Sequence, residues 1–389
     1  MKLLILASRF PYPLEKGDKL RLFHQITYLS NYHEIILCCL HEEEPGEEAY
    51  QKLREVCEEV YVLKMGKLRS IWEMGKAVFS DLPFQVAYFY RKRFLTLTQE
   101  AIQKHSITHI YCQLLRMGEY ARGLELPVIL DYMDAFSLGM ERRATKSSFW
   151  LKPLVKWEAR KLKTYETNLF SAFNKHTIIS KQDREALALL PGQKKQVSIV
   201  PNGIDLDFFS FQEKTEKQYD LVFVGNLGYY PNEQAARYLV KSLLPTLTKE
   251  LPEATLLLAG ARPSSSIKQL NELAQVEVAG WVEDIRTAYQ AGKVFVAPLF
   301  TGSGQQNKIL EAMALGVPCV TTSIVNEAIG ASDGKEILLA ESISSFILQI
   351  RKLLENPAYY QQVAINARKF VEVNYSWELS GRRLLQAFD

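Results

Sequence analysis

The chain has 389 residues, of which 47% are hydrophobic and 23% are charged. This length suits two ordinary domains, and the composition excludes a disordered or collagen-like chain. The five cysteines are scattered without a CxxC pair, which argues against a disulfide framework and a zinc site and favours the reducing cytoplasm. No apolar run reaches the roughly eighteen residues that a membrane span needs, and the apolar start at residues 3–7 is too short for a signal peptide.

The net charge of +3 is unevenly distributed. Residues 1–200 hold 30 Lys and Arg against 23 Asp and Glu, a charge of +7, whereas the remainder holds 17 against 21, a charge of −4. This asymmetry suggests different partners for the two halves. A surplus of seven positive charges over 200 residues is too small to indicate nucleic-acid binding.

In the first half, short apolar runs alternate with helical patterns. An apolar stripe predicts a helix over residues 17–30, between a buried strand at 3–7 and the next strand. The later predicted strands cover residues 34–40, 60–63, 109–112, 128–130 and 176–179. Such alternation predicts a parallel sheet covered by helices on both faces.

The series restarts at a strand over residues 220–224, and a helix follows at about 232–249. Further strands are predicted at 255–259, 276–278, 294–298 and 317–321. We therefore predict an N-terminal domain over 1–200, a Lys- and Glu-rich linker over 201–219, a second domain over 220–373 and a C-terminal helical segment over 374–389. Two doubly wound domains would face a cleft, with ligands outside the carboxyl ends of the strands.

The most informative segment is PLFTGSGQQNKILEAMALGVPCV, which begins at Pro298. Gly302, Ser303 and Gly304 form a loop that brings bare backbone close to a ligand. A helix is predicted from about Gln305 to residue 315, with Gly316 as its C-cap. Its first turn offers unpaired N–H groups and the positive end of the helix dipole, which together bind anions.

Lys308 lies in this first turn, and Glu311 follows three residues later on the same helix face. Phosphate groups beside Lys308 and sugar hydroxyls accepted by Glu311 would make a nucleotide-diphosphate site. The alternative is a glycine-rich turn that caps a helix, with Lys308 and Glu311 as a surface ion pair.

The string GSGQQNKILEAMALGVP resembles the donor-site motif of glycosyltransferase family four, the retaining GT-B enzymes, and is most similar to a bacterial exopolysaccharide-associated subgroup. Matching strings occur in the family's order along nearly the whole chain. They are RFPYPLEKGDKLR, DYMDAFSLGMERRA, IISKQDREAL, VPNGIDLDFF, VFVGNLGYYPN and GWVEDIR.

This resemblance implies a GT-B α/β fold whose last helix, at about residues 377–388, crosses back to the first domain. It implies a retaining, metal-independent sugar transfer from a nucleotide-diphosphate sugar to a glycan or lipid-linked acceptor. The implied catalytic residues are Asp134, Lys308 and Glu311, and Arg142 and Arg143 are candidates for an acceptor phosphate. The candidate donor-binding residues are Gly17, Gly225, Asn226, Arg262, Trp281, Val282, Gly302, Ser303, Gly304, Gln305, Gln306 and Asn307.

Two departures from the family pattern concern the donor site. Ser303 stands where many members carry a glutamate that contacts the donor sugar. Gly225 and Asn226 begin a segment where the family usually has an arginine and a lysine. The diphosphate would then be neutralised by Lys308, Arg262 and the helix N-terminus.

Several of these candidates have a structural alternative. Gly17 can belong to a plain capped turn, Asp134 can cap the following helix, and the pair Arg142 and Arg143 can form a solvated helix face. Arg262 can be a surface residue, and Trp281 can be part of the core.

Two further segments bear on cofactors and partners. The DxD string at Asp205 and Asp207 resembles a metal-binding pair, but its place in the linker favours a turn, so no metal is expected. Residues 64–94 combine seven Lys or Arg with two acidic residues and seven aromatic side chains. They suit peripheral contact with an anionic membrane, and the alternative is a cleft-lining helical pair with core aromatics.

Two other functions stay open at this stage. A sugar-nucleotide epimerase shares the GT-B fold but requires a set of carboxylates that the sequence lacks. A non-catalytic nucleotide-sugar binder within a polysaccharide assembly is supported only by Ser303.

Overall fold

The alternating strand and helix patterns fold into two separate parallel sheets. The computed structural model describes residues 1–42, 44–211, 217–301 and 304–388. One unit contains Met1–Pro201 and Trp377–Asp389, and the other contains Asn202–Ser376. The chain therefore passes between the units at the start of the predicted linker, and the rest of that linker belongs to the second unit.

In the N-terminal unit, the described residues form a seven-stranded sheet with the order β3-β2-β1-β4-β5-β6-β7, in which every neighbouring pair is parallel. Its strands are β1 (Lys2–Ala7), β2 (Glu34–His41), β3 (Glu59–Lys64), β4 (His109–Gln113), β5 (Val128–Asp131), β6 (Lys175–Ile178) and β7 (Val197–Ile199). Its helices are α1 (Gly17–Leu29), α2 (Glu47–Arg54), α3 (Lys67–Lys76), α4 (Phe84–Phe89), α5 (Lys92–His105), α6 (Gly118–Ala121), α7 (Phe136–Lys146), α8 (Lys152–Ala172), α9 (Lys181–Ala186) and α10 (Pro191–Lys194).

The described residues of the C-terminal unit form a six-stranded parallel sheet with the order β10-β9-β8-β11-β12-β13. Its strands are β8 (Tyr219–Val224), β9 (Leu256–Ala259), β10 (Val276–Gly280), β11 (Gly292–Ala297), β12 (Cys319–Thr321) and β13 (Leu338–Leu339). Its helices are α11 (Tyr230–Tyr238), α12 (Leu244–Leu247), α13 (Ser265–Lys268), α14 (Ile285–Ala291), α15 (Asn307–Ala314), α16 (Ser323–Ile329), α17 (Ile343–Glu355) and α18 (Pro357–Asn374).

Both sheets are buried on both faces, which explains why their strands read as continuous apolar runs. The central strand β1 is fully buried from Leu3 to Ala7, and β8 is fully buried from Leu221 to Phe223. Each predicted strand is present to within two residues at its ends. The sequence did not predict β7 and β13, which have three and two residues.

The last helix, α19 (Trp377–Gln386), packs on the N-terminal unit as predicted. Leu384 joins the core on one face of that unit's sheet, and the Trp377 ring stacks on His24 at 4.4 Å between centroids. Gly381 lies so close to α1 that a Cβ atom there would come within 2.2 Å of the Tyr28 ring. The close approach of α19 and α1 therefore requires glycine at this position.

A buried ion pair fixes the carboxyl end of β5. The Arg21 guanidinium donates from Nε to Oδ2 of Asp131 at 2.7 Å and from Nη1 to the Val200 carbonyl at 2.9 Å. Asp131 also accepts hydrogen bonds from the Tyr111 hydroxyl at 3.0 Å and the Thr177 hydroxyl at 2.9 Å. Because both charges are buried and hydrogen-bonded, the pair holds the ends of three neighbouring strands in a fixed arrangement.

Candidate functional site

In the C-terminal unit, the loops that follow β8 and β9 meet backbone to backbone. Gly225 donates its N–H to the Ala259 carbonyl at 3.0 Å. Gly260 has a φ of +137°, and a Cβ atom on it would lie 1.7 Å from the Gly225 carbonyl oxygen. A Cβ atom on Gly228 would likewise lie 2.7 Å from the Arg262 carbonyl oxygen. The glycines thus bring the two strand ends together beside the start of α15.

Helix α15 begins at Asn307, two residues later than predicted, and its N-cap Gln306 makes no capping hydrogen bond through its side chain. Gly316 follows the helix with a φ of +69°, and a Cβ atom there would strike the Phe211 ring. The Ile309 N–H bonds to the Gln306 carbonyl at 3.0 Å, and the positive end of the helix dipole at this first turn favours a bound anion.

Lys308 extends from this first turn towards the Gly225 loop. Its Nζ donates to Asn232 Oδ1 at 2.7 Å and to Gln306 Oε1 at 3.3 Å. Its Cε lies 3.4 Å from the position a Cβ atom on Gly225 would occupy. Burial, partly offset by the charge of Glu311, lowers the pKa of Lys308 to about 8. Lys308 is therefore a poorly hydrated cation held by amide oxygens, which favours an anionic ligand.

Glu311 points at a tyrosine. The Tyr289 hydroxyl donates to Glu311 Oε2 at 2.7 Å, and Tyr289 itself is buried against the core. Burial raises the pKa of Glu311, while the Tyr289 hydrogen bond and the charge of Lys308 lower it. Tyr289 thus orients the carboxylate. The sequence does not predict this role, because the α14 string IRTAYQA carries no recognisable motif.

The side chain of Gln305 anchors the loop before α15. It accepts from the Asn202 N–H at 2.9 Å and donates to the Asn202 carbonyl at 2.8 Å. Gly304 and Gln306 line a recess with Asn232, and the other lining residues are Tyr229, Pro231, Leu299, Thr301, Ile324 and Val325. Gly302 and Ser303 lie outside the described residues, so the predictions for them remain untested.

The other predicted donor-side residues surround the glycine loops. Asn226 caps the loop through Oδ1, which accepts from the Gly228 N–H at 3.1 Å. Arg262 is exposed and has a φ of +58°. Trp281 is 71% exposed, so the alternative that it belongs to the core is wrong. Val282 packs against the core.

In the N-terminal unit, Asp134 follows β5 after Met133, which has a φ of +62°. The Asp134 side chain reaches solvent, but the surrounding protein displaces much of the water near its carboxyl group. This desolvation, followed by the charge of Asp183, raises the pKa of Asp134 to about 7. Burial raises the pKa of Asp183, and the Ser180 hydrogen bond and the charge of Arg142 partly offset this rise, so Arg142 lies close to this acidic pair. A carboxyl group with a raised pKa at a strand end can exchange protons near neutral pH.

Two further predicted residues are exposed. Arg143 lies on α7, one residue beyond Arg142. Gly17 begins α1, and a Cβ atom there would meet no other atom within 4 Å, so the local backbone does not require glycine. Beside it, Asp18 in the first turn forms an ion pair with Arg9.

The DxD string forms a turn, as predicted. Asp205 Oδ1 accepts from the N–H groups of Asp207 at 3.2 Å and Phe208 at 2.9 Å. Over the described ranges, no group of three His, Cys, Asp or Glu side chains is arranged as a set of metal ligands.

Comparisons with known proteins bear on the function of this site. Residues 218–356 match the family model described as Glycosyl transferases group 1. The sugar-nucleotide epimerase and the non-catalytic binder are therefore set aside, and the chain is a glycosyltransferase of the hexosyltransferase class.

Two bacterial proteins are among the relatives of this glycosyltransferase. It is 23% identical to an uncharacterized 44.6 kDa protein in the cps region of Klebsiella pneumoniae, over 96% of each chain. It is 25% identical to the UDP-Gal:alpha-D-GlcNAc-diphosphoundecaprenol alpha-1,3-galactosyltransferase of Escherichia coli, over 41% of this chain and 42% of that one.

Its fold also matches a solved structure over the whole chain. Anabaena HepE in complex with UDP and glucose superposes with a TM-score of 0.70, over 100% of this chain and 99% of that one, at 14% identity. The two parallel-sheet α/β units of the glycosyltransferase are therefore those of the GT-B fold, as the sequence resemblance implied.

The backbone contact between Gly225 and Gly260 yields a prediction about stability. Gly260→Ala places a Cβ atom into the Gly225 carbonyl, so we expect a loss of about 3 kcal/mol or more in the free energy of unfolding. The control is Gly139→Ala, since a Cβ atom there meets nothing within 4 Å and alanine favours the helix. Calorimetric unfolding of both variants checks this, and a Gly260→Ala midpoint equal to that of Gly139→Ala would contradict it.

Proposed function

We propose that this glycosyltransferase moves a sugar from a nucleotide-diphosphate sugar to a lipid-linked or glycan acceptor during synthesis of a capsular or exopolysaccharide. The observation that carries the proposal is the poorly hydrated Lys308 ammonium at the start of α15, beside the bare backbone of Gly225. We propose that the C-terminal unit binds the donor and that the N-terminal unit binds the acceptor.

The relatives support these substrate classes. The name of the Escherichia coli relative states a UDP-sugar donor and a diphosphoundecaprenol-linked acceptor, and the HepE complex contains UDP and glucose. The Klebsiella relative lies in a capsule region.

In the proposed reaction, Lys308 and the first-turn N–H groups of α15 stabilise the negative charge that develops on the leaving diphosphate as the glycosidic bond breaks. Glu311, oriented by Tyr289, accepts hydrogen bonds from sugar hydroxyls. This arrangement supplies positive charge without a metal ion. Retention of configuration rests on the resemblance to family four, and Asp134 orients the acceptor or stabilises the oxocarbenium ion.

The pKa of Lys308 predicts how the rate depends on pH. Lys308 is charged below about pH 8 and neutral above it, so kcat/KM for the nucleotide sugar falls as pH rises through that value. Lys308→Met removes the charge at every pH, and we expect kcat/KM to fall about 10²- to 10³-fold. Transfer of labelled sugar to a bacterial lipid extract measures both effects.

The matched variant for this prediction is Lys308→Arg, which stays charged to a much higher pH. We expect its residual activity to lack the decline near pH 8. A decline that persists unchanged in Lys308→Arg would assign the titration to another group and contradict the role of Lys308.

We also propose that the N-terminal unit contacts an anionic membrane surface, where a lipid-linked acceptor would lie. Two exposed apolar segments support this proposal. The first includes Leu68, Ile71, Trp72, Val78 and Phe79, and the second includes Phe149, Trp150, Leu151 and Leu154. Trp72 and Phe79 are 66% and 93% exposed, so the core alternative is wrong for these two aromatics, whereas it holds for the buried Phe89 and Phe94.

Helix α8, whose first turn carries the end of the second segment, contacts the region of the first segment, and these contacts support a common surface. Lys161 on α8 donates to the Ala77 carbonyl at 2.7 Å, and the Trp157 ring lies 5.1 Å from the Phe84 ring. Exposed basic residues accompany the apolar ones on both segments, namely Lys67, Arg69, Lys76, Lys152, Lys156 and Arg160. Apolar groups flanked by cations are typical of binding to anionic bilayers. Among the described helices, none is long and apolar enough to cross a membrane.

The double variant Phe79→Glu/Trp150→Glu tests the membrane contact. We expect the fraction of protein that sediments with phosphatidylglycerol-containing vesicles to fall at least about tenfold. Two aromatic side chains that would insert into the bilayer are replaced by two negative charges. The control Leu348→Glu/Ile365→Glu changes two residues of the C-terminal unit that are 65% and 58% exposed. Equal losses in both variants, or no binding of the unmodified protein, would contradict the proposal.

A further inference from the structure

The strand order of the N-terminal sheet reverses between β1 and β4. From β1 the chain moves outwards through β2 and β3, and it then returns to add β4 on the opposite side of β1. In open α/β sheets, ligands bind outside the carboxyl ends of the strands at such a reversal. Arg9 follows the end of β1 and Arg116 follows the end of β4, so both arginines lie at this point.

The Arg116 side chain is held between two aromatic rings. Its guanidinium carbon lies 4.9 Å from the ring centre of Phe89 on α4 and 4.9 Å from that of Phe136 on α7. Its buried Nε has no hydrogen-bond acceptor among the described residues. The two rings fix the guanidinium without satisfying its donors.

The charges around Arg116 do not neutralise it. Asp18 and Asp134 attract it and Arg9 repels it, but within the described ranges Arg116 makes no ion pair with either carboxylate. The Asp18 carboxylate is engaged by Arg9. Burial, reinforced by Arg9, lowers the pKa of Arg116 to about 10. A half-buried cation without a partner anion is costly, and a bound anion would remove that cost.

The backbone next to Arg116 is strained. Leu114 has a φ of +68° and a ψ of +145°, and Met133, at the end of the neighbouring strand, has a φ of +62°. In a residue other than glycine, each such backbone conformation costs about 1–3 kcal/mol, and such conformations are concentrated at functional sites. The strand ends are nevertheless fixed, because the Leu114 N–H donates to the Asp131 carbonyl at 2.8 Å and Gln113 donates to the Asp18 carbonyl at 2.8 Å.

We propose that Arg116 binds a phosphate or diphosphate group of a substrate at this strand reversal. A guanidinium presents parallel N–H donors that match two phosphate oxygens, and the Phe89 and Phe136 rings hold its plane in place. Which substrate carries the group rests on the proposed function. Both the nucleotide-sugar donor and a lipid-diphosphate acceptor contain this chemistry.

Binding is tested with inorganic pyrophosphate by calorimetric titration. The Lys308→Met background removes the cation at α15, so the remaining pyrophosphate affinity reports on the N-terminal unit. In that background we expect Arg116→Gln to weaken binding at least about tenfold, as loss of charge-assisted hydrogen bonds does. The control Arg122→Gln, which changes an arginine that pairs with Glu119 on α6, leaves the affinity unchanged. Unchanged affinity in Arg116→Gln, or no binding in Lys308→Met alone, overturns the proposal.

Arg116→Lys serves as the second variant in case Arg116→Gln does not fold. It keeps the charge and loses the paired donors, so we expect weaker binding than in the parent and a thermal midpoint close to that of the parent. Binding by Arg116→Lys that equals the parent's overturns the paired phosphate contact.

Kinetic measurements with the Arg116→Gln variant in an otherwise unmodified chain distinguish the two sources of the phosphate. A raised KM for the nucleotide sugar assigns the group to the donor, and a raised KM for the lipid-diphosphate fraction assigns it to the acceptor. Both KM values unchanged would contradict the site. If the unmodified protein transfers no sugar but pyrophosphate binding still depends on Arg116, the proposed function fails and the phosphate site stands.

Discussion

The proposed donor site depends on one close contact, that between the backbone of Gly225 and the backbone of Gly260. This contact leaves no room for side chains where the loops after β8 and β9 meet, and it places Gly225 beside the Lys308 side chain. Lys308 is therefore poorly hydrated and held by the amide oxygens of Asn232 and Gln306. A poorly hydrated cation lowers the stability of the folded protein until an anion binds to it. Binding sites often lower stability in this way because the same feature is needed for function.

Two arginines of the N-terminal unit, Arg21 and Arg116, differ in how their charges are compensated, and this difference separates a structural role from a functional one. Arg21 is fully buried, yet Asp131 and the Val200 carbonyl satisfy its guanidinium, so its role is to fix the strand ends. Arg116 is less deeply buried but lies between two rings and makes no ion pair within the described ranges. The first arrangement needs no ligand, whereas the second is completed by one.

The sequence predicted the fold well because buried parallel strands are continuous apolar runs, and the short strands β7 and β13 were missed because two or three residues carry no pattern. The glycine and lysine positions of the donor site followed from a motif. The partners of these residues did not, since Tyr289 reaches Glu311 only through the fold. Arg116 lies in the ordinary string YCQLLRMGEY, and only the packing of Phe89 and Phe136 distinguishes it from a surface arginine.

We propose above all that Lys308 and the start of α15 bind a nucleotide diphosphate without a metal ion. The most direct test is the thermal midpoint of the protein and of Lys308→Met with UDP, GDP, ADP and CDP, each with and without EDTA. We expect one nucleotide to raise the midpoint equally with and without EDTA, because a ligand at about 100 times its Kd adds roughly 2.7 kcal/mol to the free energy of unfolding. We expect Lys308→Met to reduce this rise to the smaller part that Arg116 supplies. A rise that EDTA removes, or one that persists in full in Lys308→Met, would contradict the proposal.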